Sequence, residues 1–468
     1  MQNLSLASLS RLLHAAGNPS ARVHVGGHAV RSWGELELDA GALAADRIAN
    51  LRGQSVVLAP VDPYRAAAAL LQLDGVVRRL VLYPPDIARE HIPYVADTAG
   101  ADAILTDQPA EEALDARVVS MHSAGRSVAT HAAEWNRDSS CQTEWVLLTS
   151  GTTGRPKLVV HTLASLAGAI QTGSPAPAAT TWSTFYDIRR YGGLQIFLRA
   201  ALTGTSLVLR GADESIADFL TRAGAGGVTH ISGTPSHWRQ ALMSPAAGQI
   251  APGYVRLSGE IADQGILNQL HAHYPQARMV HAFASTEAGV AFEVDDGRMG
   301  IPPERIGGTP NVELKVEEGT LRVRSSRTAR CYLGGTAQSL RDQDGYVDTG
   351  DVLELRDGRY YYMGRRDGTI NVGGMKVHPE EVEAVINRHP AVGNSLVWPK
   401  KNPITGALVV ADVVLKTPPL ADGGSQRLQQ EILRFCRGEL ALHKVPAAIH
   451  FVPMLAVADS GKMLRRHA

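Results

Sequence analysis

The chain has 468 residues, of which 44% are hydrophobic and 20% are charged, and its 46 Lys and Arg balance 46 Asp and Glu. This composition is typical of a globular chain of roughly two to four domains and excludes a disordered or fibrous protein. The zero net charge gives no overall attraction to nucleic acid or to an anionic membrane, so neither is expected as a partner. Three widely separated cysteines disfavour a disulfide framework and a structural zinc site.

The amino-terminal stretch has no charged segment followed by an apolar run, so it does not resemble a signal peptide. No window approaches 18 uninterrupted apolar residues, which disfavours membrane insertion. We therefore expect a soluble protein in the reducing cytoplasm.

In chain order, residues 1–140 alternate helical and strand patterns, and the alternation continues through about residue 243. Such alternation predicts an α/β fold with parallel sheets. From about residue 304, short strands joined by Glu-Gly and Asp-Gly turns predict antiparallel hairpins. After Gly364, a polar connector leads to a shorter α+β region. We therefore predict two domains, 1–364 and 365–468.

The segment WVLLTSGTTGRPKLVVHT (145–162) is the most informative part of the chain. A short strand leads into a loop that has two glycines, four hydroxyl side chains and Lys157. Glycines let successive backbone N–H groups converge on one concavity, and hydroxyls and a cation add further donors. This pattern predicts a polyphosphate-binding loop, although it is not the GxxxxGK[ST] motif.

The loop resembles the phosphate-binding loop of the acyl-adenylate-forming enzymes, which include acyl- and aryl-CoA synthetases, peptide-synthetase adenylation domains and luciferases. Further segments resemble the family in the same order: HAFASTEAG (281–289), YVDTGD (346–351), GRRDGTINVGGMKVHPEEVE (364–383) and HKVPAAIHFVPMLAVADSGKMLRR (443–466). The resemblance is strong from about residue 140 onward and general before it. It implies a large N-terminal domain of layered α/β subdomains with a small β-barrel-like subdomain. A small mobile α+β C-terminal domain would follow, hinged near Asp367.

The resemblance also implies a set of functional residues, with ATP and Mg²⁺ as cofactors. Lys462, Thr286 and Glu287 are implied as catalytic, and Glu287 as the Mg²⁺ ligand. The implied nucleotide-binding residues are Thr149, Ser150, Gly151, Thr152, Thr153, Gly154, Lys157, Gly259, Glu260, Phe283, Asp351 and Arg365. Asp367 would serve as hinge, and Gly373 and Gly374 would line the tunnel for the thiol.

The acid-binding pocket is expected from the segments 181–204, 227–235, 255–261 and 281–289. Its predicted residues are Tyr186, Arg190, Tyr191, Gly192, His230 and Ala284. Tyr191 stands where amino-acid-activating relatives have an aspartate, which disfavours an α-amino acid substrate. The family pattern is broken at Leu163, Arg190, His281 and Ala284. Aromatic residues are frequent here, and flat walls favour an aryl acid over an aliphatic acid.

The sequence therefore predicts an ATP-dependent ligase that forms an acyl- or aryl-adenylate and passes the acyl group to a thiol. A benzoate-like acid is favoured over a medium- or long-chain fatty acid. CoA and the phosphopantetheine of a free-standing acyl carrier protein both remain open as the acceptor, as does a homodimer. A luciferase-like oxygenase and a non-catalytic nucleotide-binding relative remain as alternatives of another class.

Overall fold

The computed structural model describes residues 8–18, 20–39, 43–109, 118–121, 141–149, 154–172, 179–309, 311–334, 339–417 and 424–455. The predicted site residues Ser150, Gly151, Thr152, Thr153 and Lys462 lie outside these ranges. Within them, no helix combines the length and apolar character needed to cross a membrane.

The helices alternate with strands as the sequence predicts. They are α1 (Leu9–Ala16), α2 (Trp33–Glu37), α3 (Ala45–Asn50), α4 (Pro63–Leu73), α5 (Ile92–Ala99), α6 (Leu163–Ala167), α7 (Tyr191–Leu202), α8 (Ile216–Ala225), α9 (Pro235–Met243), α10 (Gln264–His273), α11 (Pro379–Ile386) and α12 (Gly424–Glu439).

The strands belong to four sheets. They are β1 (Arg22–Val25), β2 (Arg31–Ser32), β3 (Ser55–Leu58), β4 (Arg79–Leu82), β5 (Ala103–Thr106), β6 (Val118–Ser120), β7 (Glu144–Thr149), β8 (Lys157–His161), β9 (Thr181–Thr184), β10 (Ser206–Leu209), β11 (His230–Gly233), β12 (Tyr254–Ser258), β13 (Arg278–Ser285), β14 (Gly289–Val294), β15 (Val312–Glu317), β16 (Thr320–Ser325), β17 (Cys331–Tyr332), β18 (Val347–Arg356), β19 (Arg359–Arg365), β20 (Ile370–Val372), β21 (Met375–Val377), β22 (Val392–Asn402), β23 (Gly406–Leu415) and β24 (Ala448–Phe451).

Two large sheets form the N-terminal part. The eight-stranded sheet has the order β14-β13-β12-β11-β9-β10-β1-β2, and the run from β13 to β1 is parallel. The seven-stranded sheet has the order β17-β8-β7-β4-β3-β5-β6. One buried cluster contains residues of α4, α7 and strands of both sheets. Helices packed between two sheets must be apolar around most of their surface, and α4 is buried along almost its whole length.

The antiparallel hairpins form where the sequence predicts them. In the four-stranded sheet β15-β16-β18-β19, the turn between β18 and β19 is Asp357-Gly358, with φ of 49° and 73°. Two consecutive positive φ values define the turn that suits the twist of a tight hairpin, and Asp-Gly tolerates them. The Glu318-Gly319 turn has the same form.

The C-terminal part has its own core. Its sheet has the order β21-β20-β23-β22, with β24 paired to β23, and it packs with α11 and α12 around Val397, Ile432 and other apolar residues. Arg365 is the last residue of β19, and a single 3₁₀ turn, Arg366–Gly368, leads into this part. The predicted domain limits of 1–364 and 365–468 stay a prediction.

Candidate active site

A cavity of about 290 Å³ lies where the carboxyl ends of β11, β12 and β13 meet β18, β19 and α11. Parallel strands open their ligand sites at this edge, because side chains and backbone groups of several loops converge there. The predicted site residues that line the cavity are Gly259, Glu260, Phe283, Ala284, Asp351 and Arg365. The structure therefore gathers residues from four separate sequence segments into one space.

One wall of this cavity is a stack of aromatic rings. Phe283 stacks on Phe292 at 5.7 Å and on Tyr362 at 5.9 Å between ring centroids. The hydroxyls of Tyr362 and Ser236 are buried and make no hydrogen bond to the described chain. Burial and the charge of Asp351 raise the pKa of Tyr362, so it stays a neutral donor. A flat apolar wall beside unused hydroxyls fits a nucleoside, because a base can stack while polar groups find partners.

Arg365 occupies the centre of a charged row beside the cavity. The Nε of Arg365 donates to Asp367 Oδ1 at 3.0 Å, and Arg365 lies opposite Asp351 in the register of the antiparallel pair β18–β19. Burial acts to lower the pKa of Arg365, but Asp367, Asp351 and Glu287 outweigh it and raise that pKa. Burial acts to raise the pKa of Asp367, but Arg365 and Lys157 outweigh it and lower that pKa. These groups are thus close enough to act on one another's charge.

The two ends of the predicted phosphate loop lie next to Glu287. Thr149 and Lys157 are partners in the antiparallel pair β7–β8, so the loop between them is a hairpin connection. Thr149 Oγ1 donates to Glu287 Oε1 at 3.4 Å, and the hydroxyl of Tyr332 donates to the same oxygen at 3.4 Å. Lys157 Nζ lies 5.5 Å from the centre of the Tyr332 ring. Sequence reasoning missed Tyr332, because nothing in its local pattern indicates a site.

His161 is a second residue that sequence reasoning missed. It is fully buried, and its Nε2 donates to the carbonyl oxygen of Thr286 at 2.7 Å, while Nδ1 lies 2.9 Å from Ser165 Oγ. Burial lowers the pKa of His161 to about 4, although the bond to Thr286 opposes the shift. His161 is therefore neutral at neutral pH and holds the turn that carries Glu287. The only sequence signal was a polar residue at the end of a buried apolar strand.

The neighbouring side of the site is formed by Tyr186, Tyr191 and Gly192. The hydroxyl of Tyr186 donates to the carbonyl oxygen of Ser258 at 2.6 Å. A Cβ at Gly192 would lie 3.1 Å from the Tyr186 ring, so glycine lets the start of α7 pack against that ring. Burial raises the pKa of both tyrosines.

Two further predicted acid-binding residues, Arg190 and His230, lie in different surroundings. Arg190 Nη2 lies 2.5 Å from Asp86 Oδ2, and its Nη1 donates to the carbonyl oxygen of Leu148, so the side chain is used inside the protein. His230 is the first residue of β11, at the opposite edge of the sheet, where Trp182 lies 4.6 Å from it between ring centroids. The predicted roles of Arg190 and His230 toward an acid stay predictions.

The predicted hinge and tunnel residues lie on the surface. Asp367 is in the 3₁₀ turn after β19, and Gly373 and Gly374 form the turn between β20 and β21 with φ of 58° and 86°. The N–H of Gly373 donates to the carbonyl oxygen of Thr405 at 2.8 Å. Left-handed φ at both positions explains the two glycines, and their role toward a thiol stays a prediction.

Comparison with protein families matches residues 14–333 to the AMP-binding enzyme model and residues 381–462 to the AMP-binding enzyme C-terminal domain model. One curated relative is the human mitochondrial acyl-coenzyme A synthetase ACSM5, 26% identical over 348 residues. That alignment covers 68% of this chain but only 59% of the relative. Another is the 2-succinylbenzoate–CoA ligase of Bacillus cereus strain ATCC 10987, 25% identical over 442 residues, covering 89% of this chain and 88% of the relative.

Solved structures share the fold over nearly the whole chain. The o-succinylbenzoate CoA synthetase of Bacillus subtilis has been solved with its acyl-adenylate intermediate and with ATP and magnesium, and the TM-scores are 0.74 and 0.72 at 20% identity. The first match covers 98% of this chain and 96% of the other, and the second covers 98% of both. The α/β architecture with a smaller C-terminal part is therefore confirmed.

Proposed function

We propose, on the premise that this chain belongs to the AMP-binding enzyme family, that it is an ATP-dependent acid–thiol ligase. The observation that carries the proposal is the charged row that runs from Lys157 and Glu287 through Arg365 to Asp351, beside a cavity with an aromatic wall. In one bound nucleotide, Lys157 and Glu287 would face the phosphates, Asp351 would face the ribose, and the aromatic wall would face the base.

The residues fit ATP with Mg²⁺. Glu287 is half-buried, and its carboxylate accepts two long hydrogen bonds from the neutral hydroxyls of Thr149 and Tyr332, so its oxygens keep capacity for a hard cation. Bound Mg²⁺ would offset the negative charge of the phosphates. Lys157 adds a fixed positive charge at the end of the loop. Asp351 can accept hydrogen bonds from ribose hydroxyls, and Arg365 is held in place beside it by Asp367.

The first step joins the acid to the nucleotide. An oxygen of the substrate carboxylate attacks the α-phosphorus of ATP, and pyrophosphate leaves. Both reactants are anionic, so cations must lie at the reacting oxygens as charge develops. We assign Lys462 to that position from the family resemblance, together with the loop residues Ser150 to Thr153. The hydrogen bond from His161 to the carbonyl oxygen of Thr286 fixes the position of Thr286 and Glu287.

The second step releases AMP. The sulfur of a thiol attacks the carbonyl carbon of the adenylate, a thioester forms, and AMP leaves. We propose CoA as the thiol, because the relatives are named as CoA ligases, and the thiol of a carrier protein is the alternative that the assay below tests. We propose an aryl acid as substrate, because two aromatic rings lie next to the cavity in the chain: the hydroxyl of Tyr186 is bonded to Ser258, which precedes the cavity residue Gly259, and Tyr191 precedes Gly192, which packs on the Tyr186 ring. A cytoplasmic location fits a reaction that uses ATP and CoA.

The decisive experiment measures pyrophosphate release with aryl, fatty and amino acids, using the wild type, Lys462→Ala and Lys400→Ala. We expect aryl acids to react fastest and Lys462→Ala to lose about 10²- to 10³-fold in rate. Lys400 is exposed on the same C-terminal part, so its variant should match the wild type. Equal rates for Lys462→Ala and wild type would refute the role of Lys462. Absence of pyrophosphate release with every acid would refute the ligase.

A separate addition of CoA or of a purified acyl carrier protein identifies the acceptor. We expect thioester and free AMP to appear with CoA. If a thioester forms only on the carrier protein, the carrier protein replaces CoA as the proposed acceptor.

A further inference from the structure

Tyr332 lies between a cation and an anion of the proposed nucleotide site. Its hydroxyl donates to Glu287 Oε1 at 3.4 Å, and Lys157 Nζ lies 5.5 Å from the centre of its ring. Burial and the charge of Glu287 raise the pKa of Tyr332, so the phenol is neutral at neutral pH. The face of an aromatic ring attracts a cation, and the phenol hydroxyl donates to an anion. One neutral side chain therefore contacts both charges.

The backbone places these three residues next to one another. Lys157 and Val159 are two residues apart on β8, so their side chains share a face of the seven-stranded sheet. Val159 is the partner of Tyr332 in the antiparallel pair β8–β17, and cross-strand partners also share a face. The carbonyl oxygen of Glu287 accepts a hydrogen bond at 2.9 Å from the N–H of Ala329, three residues before Tyr332. Strand register and a backbone bond thus bring the cation, the ring and the anion together.

The two charges do not pair with each other. Among the described residues, Lys157 forms no ion pair with Glu287 or with another carboxylate. Lys157 also lies within electrostatic range of Asp367, but that carboxylate is paired with Arg365 at 3.0 Å. Opposite charges in a half-buried site attract each other, because little water screens them. A direct pair of Lys157 with Glu287 would occupy the two groups that are needed for phosphate and for Mg²⁺.

A similar set of groups around Tyr346 has the other arrangement. The Tyr346 ring centre lies 4.4 Å from Lys315 Nζ and 4.7 Å from the guanidinium carbon of Arg324, and its hydroxyl lies 3.3 Å from Glu313 Oε2. Arg324 and Glu313 also form a direct ion pair there. The charges around Tyr346 therefore compensate one another, whereas those on the two sides of Tyr332 are kept separate.

We propose that Tyr332 is a positioning residue that keeps Lys157 and Glu287 apart, so that the lysine stays available to phosphate oxygens and the carboxylate to Mg²⁺. The proposal rests on the proposed ligase function and adds a residue to its nucleotide site. Both contacts of Tyr332 are weak, since the hydrogen bond is long and a cation–π contact near solvent is small. Phosphates and a metal ion can therefore replace them at little cost.

The test measures the dissociation constant of Mg²⁺·ATP by calorimetry, without any acid. Tyr332→Leu removes the ring and the hydroxyl, so Lys157 and Glu287 can pair, and we expect binding to weaken about fivefold because that pair must be broken. Tyr332→Phe keeps the ring between the charges and should bind within about twofold of the wild type. Tyr346→Leu is the matched variant and should bind like the wild type, since the charges around Tyr346 are already paired.

Removing either charge supplies the decisive comparison. In Lys157→Met and in Glu287→Gln no pair can form, so the addition of Tyr332→Leu should change the dissociation constant by less than about twofold within each background. A tyrosine with only a structural role would weaken binding equally in all three backgrounds, as independent sites do. Equal effects of Tyr332→Leu in the wild type and in both variants would overturn the proposal. Wild-type binding by Tyr332→Leu itself would overturn it as well.

Pyrophosphate release separates this proposal from the ligase. If the effect of Tyr332→Leu on binding depends on Lys157 and Glu287 but the wild type releases no pyrophosphate with any acid, the ligase fails and the role of Tyr332 stands. If pyrophosphate is released but the effect is the same in every background, the ligase stands and the role of Tyr332 fails. Absence of Mg²⁺·ATP binding in the wild type would overturn both.

Thermal unfolding supplies the structural control. Tyr332 is half-buried, so Tyr332→Leu can also lower the unfolding temperature. Such a loss of stability would weaken binding alike with and without Lys157. The comparison between backgrounds therefore distinguishes the positioning role from a loss of folded protein.

Discussion

Two arginines near opposite ends of the parallel strands of the eight-stranded sheet have different charged surroundings. We call these ends the carboxyl edge and the amino edge. At the carboxyl edge, Arg365 lies among Asp351, Asp367 and Glu287, and the pKa values of Arg365 and Asp367 shift toward their charged forms. At the amino edge, Arg199 lies among neutral rings, and its pKa shifts toward the neutral form. The carboxyl edge thus supplies its own counter-charges, whereas the charged residue that acts on Arg199 is another cation, Arg256.

The two regions therefore differ in whether the charge of the arginine is balanced by carboxylates of the protein. A row in which protein charges already hold one another is positioned before a ligand arrives, which suits a nucleotide whose many charges must be met in a fixed order. Arg199 instead lies over the ring of Trp182, with Arg256 as a charged neighbour. The carboxyl edge, which already holds interacting charges of both signs, is therefore where we propose that the adenylation step takes place.

The largest expected effect concerns Glu287 at the carboxyl edge. Glu287→Gln removes the charge but keeps the shape, and we expect the rate of pyrophosphate release to fall about 10²- to 10³-fold. The unfolding temperature should stay the same, since Glu287 makes only long contacts. Glu313→Gln, at an exposed ion pair with Arg324, is the control. A Glu287→Gln enzyme as fast as the control would place the catalytic charge elsewhere.

The second effect concerns the pH dependence of stability at the same edge. The pKa of His161 is lowered from 6.5 to about 4, so the unfolded chain takes up this proton at higher pH than the folded chain. The free energy of unfolding should therefore fall as the pH drops from 6.5 to 4, by up to about 3 kcal/mol from this group. Chemical unfolding of the wild type and His161→Gln should show a flatter curve for the variant. Parallel curves would contradict the buried neutral state.

A smaller effect distinguishes binding of the nucleotide from binding of the acid. Asp351→Asn should raise the KM for ATP about tenfold, because a hydrogen bond to a charged acceptor is weakened, and should leave the KM for the acid unchanged. Asp295→Asn, at an exposed ion pair with Arg278, serves as the matched variant. Equal changes in both KM values would mean that Asp351 shapes the whole site rather than the ribose end.

Local patterns in the sequence were sufficient for much of the secondary structure. The alternation of helices and strands that the sequence shows through about residue 243 is present in the structure, where α9 ends at Met243, and the Asp-Gly turn after β18 adopts the expected backbone. Glycines, turn residues and apolar periodicity act over a few residues, so they can be recognised without a fold. Phe283, Asp351 and Arg365 could be named because each is embedded in such a local motif.

The direction of side chains at the acid end was decided by tertiary structure alone. Arg190 was predicted to bind the acid, and tertiary packing brings Asp86 to its guanidinium from a distant part of the chain. His230 was predicted to line the acid pocket, and the structure places it as the first residue of the parallel strand β11. No local pattern carries that information, because contacts between residues far apart in sequence depend on strand order.

The sequence by itself thus determined which chemical groups the chain has and which short segments resemble nucleotide-binding motifs. The tertiary structure decided which of those charges are paired within the protein. The physical reason is that an ion pair forms over a few ångströms in space: Glu214 reaches Arg222 from the turn before its own helix, whereas Asp86 reaches Arg190 from a distant part of the chain.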